Sequence, residues 1–544
     1  MSSKKPFAIT LDIGSSTANH TGSWRTERPV YVHRLPPCNN ACPAGENIQG
    51  WLHEAEEGRY EAAWRILTAD NPLPSVHGRV CYHPCEDACN RGALDQSVNI
   101  HAVERFLGDE ALRRGWVMPC AAASGKRVLI VGAGPSGLSA AYHLRRLGHG
   151  VVIHDAGERP GGMMRYGIPQ YRLPRDVLDA EIARITALGV EIRSSSKVDD
   201  LDALMRAEDC DAAFVAVGAH LAKRVDIPAR DAGGILDAVS VLRDVEAGAA
   251  PSFIGRRVAV YGGGNTALDV ARTAERLGAK EAVLIYRRTR EQMPAHDFEV
   301  AEALEEGVQV HWLSTISGVA GSTITIEKMA LDASGWPTPT GEYETIEADT
   351  VILALGQASD TGFLARMDGV AISKDGVVAV DAGMMTGRPG VFAGGDMVPA
   401  ERSVTVAVGH GKLAARNIDA YLRGGRYVHP PRPDIASFER LNTWYFSDAD
   451  QIHQPKLDMA RRIGSFNEIV QGLDEETAQF ESRRCLSCGN CFECDNCYGV
   501  CPDNAVKKLG PGKGYAFDYD YCKGCGLCAA ECPCGAIAME PEQI

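Results

Sequence analysis

Residues 126–174 read KRVLIVGAGPSGLSAAYHLRRLGHGVVIHDAGERPGGMMRYGIPQYRLP. The apolar run 128–131 has the character of a buried parallel strand, and Gly132-x-Gly134-x-x-Gly137 then turns directly into a helical pattern over 138–147. The three glycines serve different ends. The first permits the turn, the second lets a pyrophosphate approach the backbone, and the third lets helix and strand pack closely. Phosphate charge then sits at the helix N-terminus. A second strand over 151–154 ends at Asp155, about 20 residues on, where a carboxylate can hold a ribose hydroxyl. The stretch reads as a dinucleotide site.

A lone glycine turn would suit any doubly wound sheet, so the rest of the chain has to decide. Residues 257–269, RVAVYGGGNTALD, repeat the strand, the glycine turn (Gly262, Gly264, Ala267) and the helix, and residues 390–396, GVFAGGD, form a short strand ending in glycines and a carboxylate. Two nucleotide folds with such a late closing strand predict an α/β protein with two Rossmann-like domains, a nicotinamide-nucleotide domain being inserted in a flavin domain. In the insert a strand over 282–286 runs into Arg287-Arg288-Thr289-Arg290. An acidic residue there would grip the 2′-hydroxyl of NAD, whereas arginines suit the extra phosphate of NADP; a solvated basic turn is the plain alternative. Asp396 at its strand end is placed for ribityl hydroxyls, and a helix over 403–418 can point its positive end at the flavin or simply pack.

The chain has 544 residues, enough for three to four domains, and 71 acidic against 56 basic residues. The net charge of −15 speaks against nucleic acid and anionic membranes, and no apolar window or signal-peptide pattern is present, so a soluble, cytoplasmic protein is expected. Of the 18 cysteines, five lie between Cys38 and Cys89 and eleven between Cys485 and Cys534, with only Cys120 and Cys210 elsewhere. In a reducing compartment such grouping points to metal rather than disulfides. Residues 1–36 lack periodicity and read as an arm, either disordered or docked. Cys38-x3-Cys42-Pro43 and Cys81-x3-Cys85-x3-Cys89, separated by a helical stretch over 48–67, suit an iron–sulfur cluster better than zinc. Beyond a proline-rich connection over 427–465 and a short helix from about Asp474, Cys491-x2-Cys494-x2-Cys497-x3-Cys501-Pro502 is followed by Cys522-x2-Cys525-x2-Cys528-x3-Cys532-Pro533. In this doubled run the fourth cysteine of each half ligates the other cluster. One [4Fe–4S] is therefore expected on Cys491, Cys494, Cys497 and Cys532, and the second on Cys522, Cys525, Cys528 and Cys501.

The stretches PCNNACP, GRVCYHPCEDAC, VGAGPSGLSAA, PGGMMRYGIPQYRLP, GGGNTALDVAR, YRRTREQMPA and VFAGGDMV, spanning about 38–422, resemble the glutamate synthase small-subunit family of NADPH, FAD and iron–sulfur oxidoreductases. The resemblance implies FAD in the first fold, with Pro135, Ser136, Gly162, Arg165 and Gly395 joining the glycines and aspartates above. It implies NADPH in the second, with Asn265 and Thr266 beside Arg287 and Arg288. The family's RCxxC pair before the equivalent of Cys38 is missing from this chain, and a similar element stands at Arg484-Cys485-Leu486-Ser487-Cys488. Cys485 and Cys488 are therefore expected to join Cys38 and Cys89 in one cluster. A second would use Cys42, Cys81 and Cys85, with Glu104 where the family carries a carboxylate or carboxamide. The plainer alternative is a single N-terminal cluster, with Cys485 and Cys488 as spare thiols.

Together these features divide the chain into an arm (1–36), a helical iron–sulfur domain (37–123), a flavin domain (124–228 and 356–425) around an NADPH domain (229–355), a linker (426–482) and a ferredoxin-like tail (483–544). Hydride transfer to flavin needs placement rather than a side-chain acid or base, so no catalytic side chain is expected. The expected function is electron exchange between NADP(H) and a partner such as a 2-oxoacid:ferredoxin oxidoreductase or ferredoxin, the chain being part of a larger complex. Alternatives are the small subunit of glutamate synthase, working with its large subunit, or a non-enzymatic iron–sulfur scaffold, against which both intact glycine turns speak.

Overall fold

The computed structural model describes residues 20–223, 229–230, 234–253 and 255–542. Arg127–Val131 lies at the centre of a five-stranded parallel sheet in the order Val391–Ala393, Ala212–Val215, Arg127–Val131, Gly150–His154, Glu191–Arg193. A central parallel strand is covered on both faces, which is why Val128, Leu129 and Ile130 are fully buried and form an unbroken apolar run. The helix Pro135–Arg146 starts at the glycine turn with proline in its first turn, where the missing N–H costs nothing. It packs against Val404–Leu422 so closely that a Cβ on Gly411 would lie 2.3 Å from the Ser136 carbonyl oxygen.

The strand Val391–Ala393 pairs with Ala212–Val215 although the chain between them builds another fold. The chain crosses out and back on an antiparallel ribbon, Leu221–Ala222 against Gln357–Ala358. Beyond it stands a second parallel sheet in the order Gln309–His311, Glu281–Ile285, Arg257–Tyr261, Thr350–Leu353, Ile235–Asp237. Three antiparallel strands, Ser314–Ala320, Thr323–Leu331 and Pro337–Glu347, were not expected from the sequence. Their inner face, with Ile316, Val319, Ile324 and Ile326, packs on Ala259, Ile285 and Val351 of the parallel sheet. Register breaks at Ile316/Gly318 and Glu327/Met329 shift the pairing, so the period of two that would betray these strands is interrupted.

The helical stretch expected over 48–67 is two helices, Ile48–Glu56 and Tyr60–Thr68, parted at Gly58, whose φ of 73° an L side chain would resist. Val76 and Val80 of the helix Pro74–Val80 join the core of the first parallel sheet, while the pair parted at Gly58 encloses, with Ile100–Arg114, Trp51, Leu52, Leu67, Val103 and Leu107. The helix Glu475–Arg483, stopped at its N-terminus by a capping box on Asp474, returns from far along the chain and adds Ala478 to this core. The described part of the arm is docked: Glu27–Tyr31 pairs antiparallel with Ile537–Pro541 near the end of the tail. The rest of the arm, residues 1–19, lies outside the described residues. Among the described residues no helix is long and apolar enough to cross a membrane.

Candidate functional site

A cleft of about 1340 Å³ opens between the two parallel sheets. Gly132, Gly134, Pro135, Ser136, Asp155 and Gly162 line one side, Gly395 and Asp396 its floor, and Gly262, Gly264, Asn265, Thr266, Arg287 and Arg288 the other side. Gly132 has φ 105°, and a Cβ on it would stand 2.3 Å from the Ala216 carbonyl oxygen. Gly137 is off the cleft, and a Cβ there would meet the Gly132 oxygen at 1.9 Å, so its role is the close packing of helix on strand.

The Asp155 carboxylate accepts from the Ala133 N–H at 2.6 Å and the Gly157 N–H at 2.7 Å, one bond to each oxygen. Each oxygen keeps a lone pair for a ligand hydroxyl. Burial lifts the Asp396 carboxyl to about 6, with Arg402 pulling the other way. Beside it begins the helix Val404–Leu422, whose Ser403 hydroxyl accepts from the Val406 N–H at 3.2 Å. Ser403 and Val404 both line the cleft, so the positive end of this helix faces into it. Arg165 does not line the cleft. Its Nε donates to the Pro160 carbonyl at 2.7 Å and its guanidinium pairs with Asp179, so it fastens its own loop to the helix Arg175–Thr186. A basic residue beside a glycine turn reads as a ligand contact when its carboxylate partner arrives from later sequence.

The described cysteines form no disulfide, and all but Cys120, Cys210 and Cys534 gather in four sets. Cys491, Cys494, Cys497 and Cys532 line one small cavity of the tail, and Cys501, Cys522, Cys525 and Cys528 line another. A third cavity is lined by Cys38, Cys89, Cys485 and Cys488, which joins the start of the chain to the segment before the tail. The fourth set lies nearest the cleft: Cys42 and Cys81 feel each other and the Glu104 carboxyl electrostatically, and Cys85 feels both cysteines and Cys38. Burial pushes the Cys81 thiol up to about 12 and Cys488 to about 11. Converging thiols held this far from ionisation need a cation to become thiolates, which is what a coordinated metal supplies. Glu104 is buried and its carboxyl is likewise pushed well up, first by burial and then by Glu46, while Asn71 Nδ2 donates to it at 2.7 Å.

Several contacts were not announced by the motifs. The Thr405 hydroxyl donates to Cys81 Sγ at 3.1 Å, Asn90 Nδ2 donates to Cys488 Sγ at 3.4 Å, and the Tyr31 hydroxyl lies 3.3 Å from Cys497 Sγ. The Gly489 N–H donates to the Cys534 carbonyl at 2.6 Å, bringing the third set against the tail. Tyr82, one residue past Cys81, enters the cleft and stacks on His296 of the insert, ring centres 3.7 Å apart. No spacing rule announces these partners, because each pair is far apart in sequence or crosses between folds.

Residues 126–411 match the pyridine nucleotide-disulphide oxidoreductase family, residues 20–116 the family of dihydropyrimidine dehydrogenase domain II with its 4Fe-4S cluster, and residues 490–536 the 4Fe-4S dicluster domain. The NADP(+)-dependent formate dehydrogenase subunit beta of Moorella thermoacetica is 38% identical over 510 residues, covering 83% of this chain and 70% of its own. The NADPH-Fe(3+) oxidoreductase subunit beta of Geobacter sulfurreducens is 33% identical over 520 residues, covering 85% of this chain and 77% of its own. The glutamate synthase [NADPH] small chain of Azospirillum brasilense is 34% identical over 423 residues, covering 72% of this chain and 87% of its own.

Proposed function

The chain belongs to the pyridine nucleotide-disulphide oxidoreductase family, and from that membership we propose that it is the NADP(H)-side subunit of a larger oxidoreductase, exchanging electrons with a one-electron partner at its ferredoxin-like tail. It is an NADP-dependent oxidoreductase with FAD and 4Fe-4S clusters. The cleft suits FAD: a turn that only glycine can make at Gly132, a ribose acceptor at Asp155, and a half-buried carboxyl at Asp396. Held by these residues, FAD would supply the conversion between two-electron hydride chemistry with NADPH and the one-electron chemistry of iron–sulfur clusters.

The chain's own part is placement. Gly132 and Gly134 offer backbone to the pyrophosphate, Asn265 and Thr266 stand at the facing turn, and Arg287 and Arg288 take the 2′-phosphate. The four cysteine sets follow one another from the cleft outward. Thr405 joins the helix at the cleft to Cys81, Cys85 borders Cys38 of the next set, and Gly489 joins that set to the tail. The bond from Thr405 to Cys81 carries the reading most directly, because it brings the first metal-type ligand to the helix end that faces the flavin position. The relatives from Moorella and Geobacter are named as beta subunits, which supports the same kind of place for this chain. A glutamate synthase small-chain role would leave the cysteines of the doubled tail run without a use. Under anaerobic rapid mixing with NADPH, flavin absorbance should bleach first and iron–sulfur absorbance afterwards; iron–sulfur bleaching ahead of the flavin would overturn this order.

A further inference from the structure

Arg287 and Arg288 stand in a chain of net charge −15, yet among the described residues no carboxylate pairs with either; the nearby Arg290 takes Asp297 at 3.9 Å. Arg288 Nε is buried without a hydrogen-bond partner. What the pair has instead is an indole: the guanidinium carbons of Arg287 and Arg288 lie 5.5 and 4.9 Å from the ring centre of Trp336. Both arginines line the cleft and Trp336 does not, so the ring backs them on the side away from the ligand space.

The indole is itself held. It ends the turn between the strands Thr323–Leu331 and Pro337–Glu347, where Asp332 Oδ1 accepts from the Ser334 N–H at 2.8 Å and the Trp336 N–H at 2.9 Å. Gln292 Nε2 donates to the Gly335 carbonyl at 3.1 Å, and Gln292 belongs to the 3-10 turn Arg290–Gln292 directly after the arginine pair. The turn and the arginine segment are thus tied together. Yet Trp336 remains 54% exposed, an uncommon state for a residue with only a packing role.

Resting on the NADP reading of the arginine pair, we propose that Trp336 is a positioning residue that sets NADP(H) over NAD(H), by holding Arg287 and Arg288 for the 2′-phosphate. A cation against an aromatic face is attracted by the ring while its in-plane donors stay free, so the pair loses rotamer freedom before the ligand arrives. NAD lacks the phosphate and gains nothing from this.

The test is calorimetric titration of the cofactor-loaded full chain with NADP+ and with NAD+. Trp336→Ala should weaken NADP+ binding about tenfold, leave NAD+ binding unchanged, and be largely rescued as Trp336→Phe. In an Arg287→Ala/Arg288→Ala background the same substitution should have no effect on either nucleotide. Equal weakening of both nucleotides would mean that the indole stacks on adenine, and no weakening of either would mean that it has no part in nucleotide binding; both overturn the proposal. If the double arginine variant itself keeps its preference for NADP+, the 2′-phosphate reading underneath has failed instead.

Discussion

The Thr405 hydroxyl reaches Cys81 Sγ from the first turn of the helix facing the cleft, and Thr405 is 4% exposed. A hydrogen bond to a cluster thiolate favours the more negative, reduced form, so it raises the reduction potential. Loss of a bond worth about 1 kcal/mol corresponds to about 40 mV for a one-electron couple. Thr405→Val should therefore lower the midpoint potential of one cluster by about that amount in an EPR-monitored redox titration, while Thr405→Ser leaves it in place. Unchanged potentials for every cluster in the valine variant would remove Thr405 from the electron route. At this scale the sequence was legible wherever the chemistry is local. The glycines at 132, 134 and 137 answer to backbone geometry within one turn, and the cysteine runs to the size of a cubane. Thr405 and Arg165 show the limit. The partner of the first sits more than 300 residues away, and that of the second is a carboxylate 14 residues on, invisible to any motif.

At the level of elements, the strand Glu27–Tyr31 completes the tail. Val32 N–H donates to the Ala536 carbonyl and Glu542 N–H to the Thr26 carbonyl, so even-numbered residues of the arm face the partner strand and Pro29 falls where no N–H is needed. Pro29 lines one cysteine cavity of the tail and Tyr31 the other. Val30, opposite Ala538, is a position where proline would break the ladder. Val30→Pro should expose both tail sites and speed the loss of iron–sulfur absorbance in air by several-fold, whereas Val30→Thr should behave like the parent; equal rates for all three would show that the arm does not shield the tail. This strand was beyond the sequence because its partner lies at the other end of the chain. The meander of residues 314–347 was missed for a different reason: its pairing irregularities erase the alternation, and its outer strand is exposed on most of its length.

Across the whole molecule, the insert is clamped on two sides by charge. Arg172, from the end of the stretch that opened the fold, pairs with Asp269 at 2.9 Å and with Glu299. Glu306 takes Arg272 at 2.7 Å, Arg276 at 2.8 Å and Arg462 of the linker at 3.1 Å, and Arg272 and Arg276 hold its carboxyl down at about 2 against the upward push of burial. Breaking such a buried group by removing one partner typically costs about 3–5 kcal/mol, since the charges left behind are unpaired. These clamps keep the nicotinamide side of the cleft facing the flavin side. On the other flank, the helix Glu475–Arg483 carries Cys485 and Cys488 back to Cys38 and Cys89, so the third cysteine set exists only in the assembled molecule.

That third set stands between the cleft and the tail, and its part in the electron route is open to a direct measurement. Iron content and EPR spectra should be recorded for the parent and for Cys485→Ser/Cys488→Ser during anaerobic titration with NADPH. The variant should lose one cluster's iron and still bleach its flavin, while its tail clusters stay oxidised on the timescale on which the parent's are reduced. Unchanged iron, or tail clusters reduced as fast as in the parent, would contradict the route.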